Sequence, residues 1–321
     1  MSERALPIID IGPVRAGDPH AIAAVAASIN AACMSAGFFY VRNHGVDQSI
    51  IGDVVAASRA FFALPTDVKR TVSINKRHRG FSALGDATMY GAKRPDYKEF
   101  FTMGLELPDN DPDVQAGQPL RGPNNWPDFM PELRGAMSAY YQAVGSCGAD
   151  LLKAIALSLR IDAGFFADRY RKRLQRTQLI YYPPQPAEMG KNLFGVAPHT
   201  DFGCITLLWQ DDSGGLEVLD RASKTWIGAA PIPGTLVVNV GDLLARWTND
   251  RYTSTPHRVI NRSGHERYSI ATFYDPDFGA MVDPCDLGVS PGDRRYEPIT
   301  AGQHILNRLD QSFGYRKRAT V

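Results

Sequence analysis

Pro198-His199-Thr200-Asp201-Phe202 is the stretch on which the interpretation of this 321-residue chain depends. Apolar, β-prone sequence lies on both sides of it. In an extended strand alternate side chains share a face, so we expect His199 and Asp201 to point the same way. One imidazole and one carboxylate are two of the three ligands in the two-histidine, one-carboxylate site that holds non-haem Fe(II). An H-x-D triplet is also common by chance, so a metal site requires a second histidine.

The bulk composition is that of an ordinary soluble globular protein. The net charge is +1, the isoelectric point is about 7.7, and hydrophobic residues make up 44% of the chain. Because the charges nearly cancel, nothing indicates a nucleic-acid or membrane-surface partner. The expected partner is a small-molecule substrate. The oligomeric state stays open, and a monomer is compatible with the sequence.

The cysteines and the lengths of the apolar segments indicate in which cellular compartment the protein works. Four cysteines are scattered without any C-x-x-C pair, which excludes a cysteine zinc site or a disulfide framework and suits a reducing compartment. No signal peptide begins the chain, and no apolar run approaches the roughly 20 residues of a membrane helix. The sequence therefore predicts a cytoplasmic protein.

Hydrophobic periodicity predicts helices mainly in the first half and strands mainly in the second. The fold class expected is α+β, with a sandwich or barrel in the second half. A loop-rich segment separates the halves, from about residue 75 to 127. Helices are predicted at 18–36, 50–62, 131–159 and 301–313, and strands at 6–11, 38–41, 100–103, 178–182, 205–209, 216–219, 236–240 and 268–273.

His257, at the start of a β-like run, is the candidate for the second histidine. Arg267 and Ser269 follow on the next predicted strand and, by alternation, share one face. Three ligands on one face of a six-coordinate Fe(II) leave three positions open. A 2-oxo acid can occupy two of them and O₂ the third, while an arginine fork matches a distant carboxylate better than a lysine does.

The chain resembles the 2-oxoglutarate/Fe(II)-dependent oxygenases of the isopenicillin N synthase-like family over nearly its whole length. The matching motifs occur in the family's order: Pro7-Ile8-Ile9-Asp10, Ala36-Gly37-Phe38-Phe39-Tyr40-Val41, Asn43-His44-Gly45-Val46, Phe61-Phe62-Ala63-Leu64-Pro65, Tyr181-Tyr182-Pro183, His199-x-Asp201, Asn239-Val240-Gly241-Asp242, Pro256-His257-Arg258-Val259 and Arg267-x-Ser269. The resemblance implies one oxygenase domain over 1–321, with an N-terminal family region at 1–125. It also implies a distorted double-stranded β-helix (jelly-roll or cupin-like) core at 176–285, surrounded by helices.

The resemblance also implies roles for individual residues. His199, Asp201 and His257 would bind Fe(II). Arg267 and Ser269 would hold the far carboxylate of 2-oxoglutarate, and Tyr182 would donate a hydrogen bond to the same cosubstrate. Ile180 departs from the asparagine that many members show before the two tyrosines, which puts the contacts of the near end of the cosubstrate in doubt.

The activity implied is oxidative decarboxylation of 2-oxoglutarate to succinate and CO₂, coupled to hydroxylation, desaturation or ring closure of a substrate. Three alternatives stay open: an oxidase that does not consume 2-oxoglutarate, an ethylene-forming enzyme, and a non-catalytic ligand-binding barrel. The complete ligand set argues against the last. Candidate substrate contacts are Phe273, which shares the face of Arg267, Phe202 beside the ligands, and Asp86 in the loop after Gly85. His78, His265 and His304 are expected at the surface.

Overall fold

Helices dominate the first half of the chain and strands the second, as the periodicity predicts. The computed structural model describes residues 6–89, 92–185 and 194–313, with the side chains of residues 19 and 20 excepted. The helices are α1 Gly12–Ala16, α2 Pro19–Met34, α3 Gln48–Phe62, α4 Thr66–Arg70, α5 Pro112–Gln115, α6 Pro131–Ser158, α7 Asp242–Trp247 and α8 Ala301–Ser312. The strands are β1 Ile8–Asp10, β2 Phe38–Arg42, β3 Gly80–Ser82, β4 Glu99–Gly104, β5 Arg176–Tyr182, β6 Val196–His199, β7 Ile205–Gln210, β8 Leu216–Leu219, β9 Trp226–Gly228, β10 Thr235–Val240, β11 His257–Val259, β12 Arg267–Tyr274, β13 Met281–Val282 and β14 Ile299–Thr300.

Two sheets form the core of the molecule. The larger has eight strands in the order β1-β2-β10-β7-β12-β5-β4-β3, and the smaller has four in the order β6-β11-β8-β9. Pairing is antiparallel throughout both sheets except between β1 and β2. Together they give the expected distorted double-stranded β-helix with helices around it.

Alternation along the strands of the large sheet separates two apolar cores. On β2, Phe38 and Tyr40 pack between the sheets with residues such as Val259 of the small sheet. Phe39 and Val41 point the other way, into a core shared with α2, α3 and α6. Since successive strand residues face opposite sides, one strand of four consecutive buried residues serves both cores.

Helix α6 packs closely against the end of β12 because it carries a glycine there. A Cβ on Gly148 would lie 2.9 Å from ring carbons of Tyr274, the last residue of β12. By contrast, Gly135, earlier in the same helix, has open space around it. The contact at Gly148 sets the position of the strand that carries Arg267, Ser269 and Phe273.

Several short elements escaped the periodicity: β3, β6, β9 and helix α7. Each spans six residues or fewer, too short for a hydrophobic period to stand out. The loop-rich segment contains β3, β4 and α5, and its strands extend the large sheet. Among the described residues, no helix has the length and apolar character needed to cross a membrane.

Candidate metal centre and its cavity

His199, Asp201 and His257 come together at one end of the small sheet. Each offers one ligand atom, and these atoms all lie within 4.8 Å of one another. Asp201 Oδ1 is 3.7 Å from His199 Nε2 and 3.8 Å from His257 Nε2. The two histidines are directly paired across β6 and β11. The sequence therefore identified a cluster that the fold brings together.

The expected reason for this convergence was partly wrong. His199 is the last residue of β6, and Asp201 lies beyond it, in the loop between β6 and β7. Strand alternation therefore does not orient Asp201. The loop is held in place by the backbone carbonyl of Asp201, which accepts from Asp242 N at 2.8 Å at the start of α7.

Hydrogen bonds leave one atom of each ligand side chain facing the cluster. Nδ1 of His199 donates to Ala197 O at 2.8 Å, and Nδ1 of His257 donates to Thr255 O at 3.2 Å, so both Nε2 atoms present lone pairs. Asp201 Oδ2 accepts from Thr206 Oγ1 at 2.6 Å and from Asn239 Nδ2 at 2.7 Å. Oδ1 is left for a metal.

The protonation states fit a divalent cation. Burial, with the neighbouring His257 adding to it, lowers the pKa of His199 and keeps its imidazole neutral. Burial acts to raise the pKa of Asp201, but the two imidazoles and the bonds from Thr206 and Asn239 outweigh it and lower the pKa. The neutral His199 imidazole and the ionised Asp201 carboxylate are in the forms that bind metal, and the nitrogen-and-oxygen donor set of the cluster suits Fe(II).

Arg267 lines a cavity that the three candidate ligands also line. Its side chain is fully buried, and it donates to Gly214 O at 2.6 Å, to Ser269 Oγ at 3.2 Å and to Gln210 Oε1 at 3.3 Å. Its guanidinium carbon lies 4.6 Å from the Tyr182 ring centroid. Among the described residues no carboxylate pairs with it, although a buried charge normally requires one. The guanidinium of Arg267 can therefore bind an anion in this cavity.

A second cavity, which we call the outer cavity, adjoins the first and shares His199, Asp201 and Phe273 with it. Phe202 and Phe273 line it, as expected, and Leu309 and Phe313 close it from the side of α8. Its remaining lining residues, which sequence reasoning missed, are His78, Met89, Lys98, Arg176 and Gln178. Arg176 and Gln178 share the inward face of β5 with Tyr182, so alternation was a signal for both.

One expectation for the surroundings was wrong, and another stays a prediction. His78 is not at the surface: it is 1% exposed, lines the outer cavity and lies with its ring centroid 4.9 Å from that of Phe313. Asp86 lies in an exposed turn, where its Oδ2 accepts from Ala83 N at 3.0 Å and faces Arg70 at 3.4 Å. The structure does not place Asp86 among the residues that line either cavity.

Comparison with known families supports the geometry over both halves of the chain. Residues 6–129 match the model of the N-terminal region of non-haem dioxygenases in morphine synthesis. Residues 174–276 match the model of the 2OG-Fe(II) oxygenase superfamily, which covers the two strands and the turn that carry the candidate ligands.

Curated relatives match nearly end to end. A 2-oxoglutarate-Fe(II) type oxidoreductase of Emericella nidulans is 36% identical over 98% of this chain and 92% of its own length. A 2-oxoglutarate-dependent dioxygenase of Monascus ruber is also 36% identical, over 97% and 96%. The chain therefore shares both family regions with enzymes named for this cosubstrate.

Solved structures show the same fold. A full-length Neurospora crassa protein in complex with alpha-KG and thymine superposes with a TM-score of 0.83 at 30% identity, covering 96% of this chain and 98% of that one. A putative 2OG-Fe(II) oxygenase family protein of Caulobacter crescentus gives 0.83 at 32%, covering 96% and 99%. With Fe(II), 2-oxoglutarate and O₂ as its cofactor and cosubstrates, the chain belongs to the 2OG-Fe(II) oxygenases of the isopenicillin N synthase-like type and is a non-haem iron dioxygenase.

Proposed function

We propose that His199, Asp201 and His257 bind the Fe(II) of this dioxygenase, and that Arg267 with Ser269 binds the far carboxylate of 2-oxoglutarate. The observation that carries the proposal is the buried Arg267, which shares a cavity with the three ligands and has no carboxylate partner among the described residues. Tyr182, whose ring lies against Arg267, donates a hydrogen bond to the same cosubstrate.

The bound iron supplies activation of O₂, coupled to decarboxylation of 2-oxoglutarate to succinate and CO₂. The protein side chains bind, orient and shield. Thr206 and Asn239 hold Asp201 so that Oδ1 faces the metal. Arg267 binds the far carboxylate of 2-oxoglutarate and so positions the other end of the cosubstrate at the metal. Ile180, at the asparagine position of many relatives, offers no hydrogen bond to the near end of 2-oxoglutarate, so chelation and Arg267 position the cosubstrate.

The primary substrate is a small molecule bound in the outer cavity, where Phe202 and Phe273 exclude water from the metal-facing side. The small ligand of the Neurospora protein, thymine, supports this class. The expected outcome for the substrate is hydroxylation, with desaturation or ring closure as variants.

We also propose that the protein works in the cytoplasm. All four cysteines are free, and three of them are buried. A reducing compartment keeps such thiols unpaired.

The test of the site is an anaerobic titration of the Fe(II)-loaded protein with 2-oxoglutarate, followed by exposure to O₂. A visible charge-transfer band should appear on chelation, and succinate and CO₂ should follow. Ethylene as a stoichiometric product would instead identify an ethylene-forming enzyme. Substrate oxidation without succinate would identify an oxidase that is independent of 2-oxoglutarate.

Two variants with matched controls test the residues. His257→Ala should lose Fe(II) binding and turnover, whereas His265→Ala, at an exposed histidine, should retain both.

Arg267→Ala should weaken 2-oxoglutarate binding by about 2 kcal/mol or more, roughly thirtyfold, because it removes a buried charge partner. Arg134→Ala, at an exposed arginine of α6, should have no effect. Full iron binding in His257→Ala, or unchanged 2-oxoglutarate affinity in Arg267→Ala, would overturn the assignment.

A further inference from the structure

Gln178 is a buried amide that faces the region where the two cavities meet. It lies on β5 between Arg176 and Ile180 on the inward face, and it lines both cavities. The residue is only 7% exposed, and no described residue hydrogen-bonds its side chain. Its amide atoms reach the space of the two cavities, where a ligand can form hydrogen bonds with them.

Lys98 lies in the same region from a different strand. It directly precedes β4, is 8% exposed and also lines both cavities. Its Nζ lies 3.3 Å from Asp96 Oδ2, while Asp96 Oδ1 accepts from Ala197 N at 3.1 Å. An ammonium group carries three N–H donors, so one carboxylate contact leaves donors for a ligand.

Arg176, the third polar group of this wall, forms an ion pair, although its Nε has no hydrogen-bond partner among the described residues. Its Nη2 donates to Asp275 Oδ2 at 3.1 Å, and its guanidinium carbon lies 5.1 Å from the Phe273 ring centroid. Asp275 is fully buried and also accepts from Cys204 N at 2.8 Å. Arg176 and Asp275 therefore form a fixed ion pair under the wall.

The open hydrogen-bonding capacity of this wall of the outer cavity is thus mainly donor capacity. Asp275 accepts hydrogen bonds at both oxygens and Asp96 at Oδ1, while Asp96 Oδ2 lies beside the Lys98 ammonium. Lys98 and Gln178 have N–H groups that can donate to a ligand. A substrate with a cationic group at this place would face Lys98 and Arg176. A carboxylate, which accepts several charge-assisted bonds at once, is complementary to it.

We propose that Lys98 and Gln178 form a carboxylate-binding subsite, so that the primary substrate is a small organic acid. The proposal rests on the proposed function, because it takes the outer cavity as the substrate side of the iron centre. The acid group is bound between the ammonium of Lys98 and the amide of Gln178. The apolar remainder lies against Phe202, Phe273 and Leu309.

The probes are phenylacetate and 3-phenylpropionate, each paired with its primary amide. The phenyl ring matches the aromatic wall, and the amide keeps the shape of the acid without its charge. Binding is measured by calorimetry on protein loaded with Mn(II), as a redox-inert substitute for Fe(II), and saturated with 2-oxoglutarate to block the Arg267 end. At least one acid should bind at least about tenfold more tightly than its amide.

Variants identify the group responsible. Lys98→Met should abolish the preference for the acid, and Gln178→Leu should reduce affinity for the acid about threefold or more. Lys93→Met makes the same change at an exposed lysine nearby and should change nothing. Because Lys98→Met leaves Asp96 buried and unpaired, the double variant Asp96→Asn/Lys98→Met, which keeps the site neutral, should lose the preference in the same way.

The proposal is wrong if neither acid is preferred over its amide. It is also wrong if the preference for the acid survives in Lys98→Met, because Lys98 would then not be the group that binds the acid. The charge-transfer band with Fe(II) and 2-oxoglutarate separates this result from failure of the proposed function. In the control Lys93→Met the band should be unchanged. If the band is absent from the unmodified protein, the iron centre itself is misassigned.

Discussion

At the scale of single residues, the candidate metal centre depends on which oxygen of Asp201 faces the two histidines. Thr206 and Asn239 are directly paired across β7 and β10, and both donate to Oδ2. The carboxylate is thereby held in one rotamer with Oδ1 toward the histidines. Such supporting hydrogen bonds typically contribute roughly ten- to hundredfold in metal affinity.

Removing either supporting donor should weaken metal binding without removing a ligand. For Asn239→Ala and for Thr206→Val we expect the dissociation constant of Co(II) to rise roughly 10- to 100-fold. Competition against a fluorescent chelator measures it. Asn307→Ala, at an exposed asparagine of α8, is the control. Unchanged affinity in both cavity variants would mean that the metal and the histidines alone orient Asp201.

At the scale of elements, strand alternation accounts for the cavity wall wherever a strand runs without interruption. Along β12, Arg267, Ser269 and Phe273 all face the cavity, as the sequence predicts. The same rule fails at His199 and Asp201 because β6 ends between them. The alternation of side chains between two faces holds only within a continuous strand, and it no longer predicts orientation where the strand ends.

The packing of α6 on β12 gives a prediction with an internal control. Gly148→Ala should destabilise the protein by about 1–3 kcal/mol, because the added methyl group would overlap the Tyr274 ring. Gly135→Ala, in open space on the same helix, should stabilise by up to about 1 kcal/mol, since alanine favours the helix. Urea unfolding of both variants measures the difference. Equal effects at the two positions would show that α6 shifts freely over β12.

At the scale of the whole molecule, the two regions expected from the motifs share one sheet. The first half supplies β1 and β2 to one edge and β3 and β4 to the other, around four central strands from the second half. The pairing of β2 with β10 and of β4 with β5 joins the halves by backbone hydrogen bonds. Neither half can complete this sheet alone.

This shared sheet predicts one cooperative unfolding transition. Urea curves followed by far-ultraviolet circular dichroism and by tryptophan fluorescence should coincide, because Trp126 of the first half and the three tryptophans of the second half, Trp209, Trp226 and Trp247, belong to one unit. The metal-free protein is the sample, since metal binding would add its own stabilisation. Two separated transitions would mean that residues 1–125 and 176–285 fold independently.

The sequence by itself determined the chemical identity of the candidate ligands, the family and the broad fold class. Those follow from residue types, their order and the periods of short segments, which are local properties of the chain. It also placed Phe202 and Phe273 at the cavity.

Only the tertiary structure decided which groups meet. It buried His78, kept Asp86 outside, selected the free oxygen of Asp201 and left Arg267 without a carboxylate partner among the described residues. It also brought Lys98 and Gln178 to one cavity from separate strands. The physical reason is that partner choice in a sheet depends on long-range strand pairing and turn geometry, which no local period encodes.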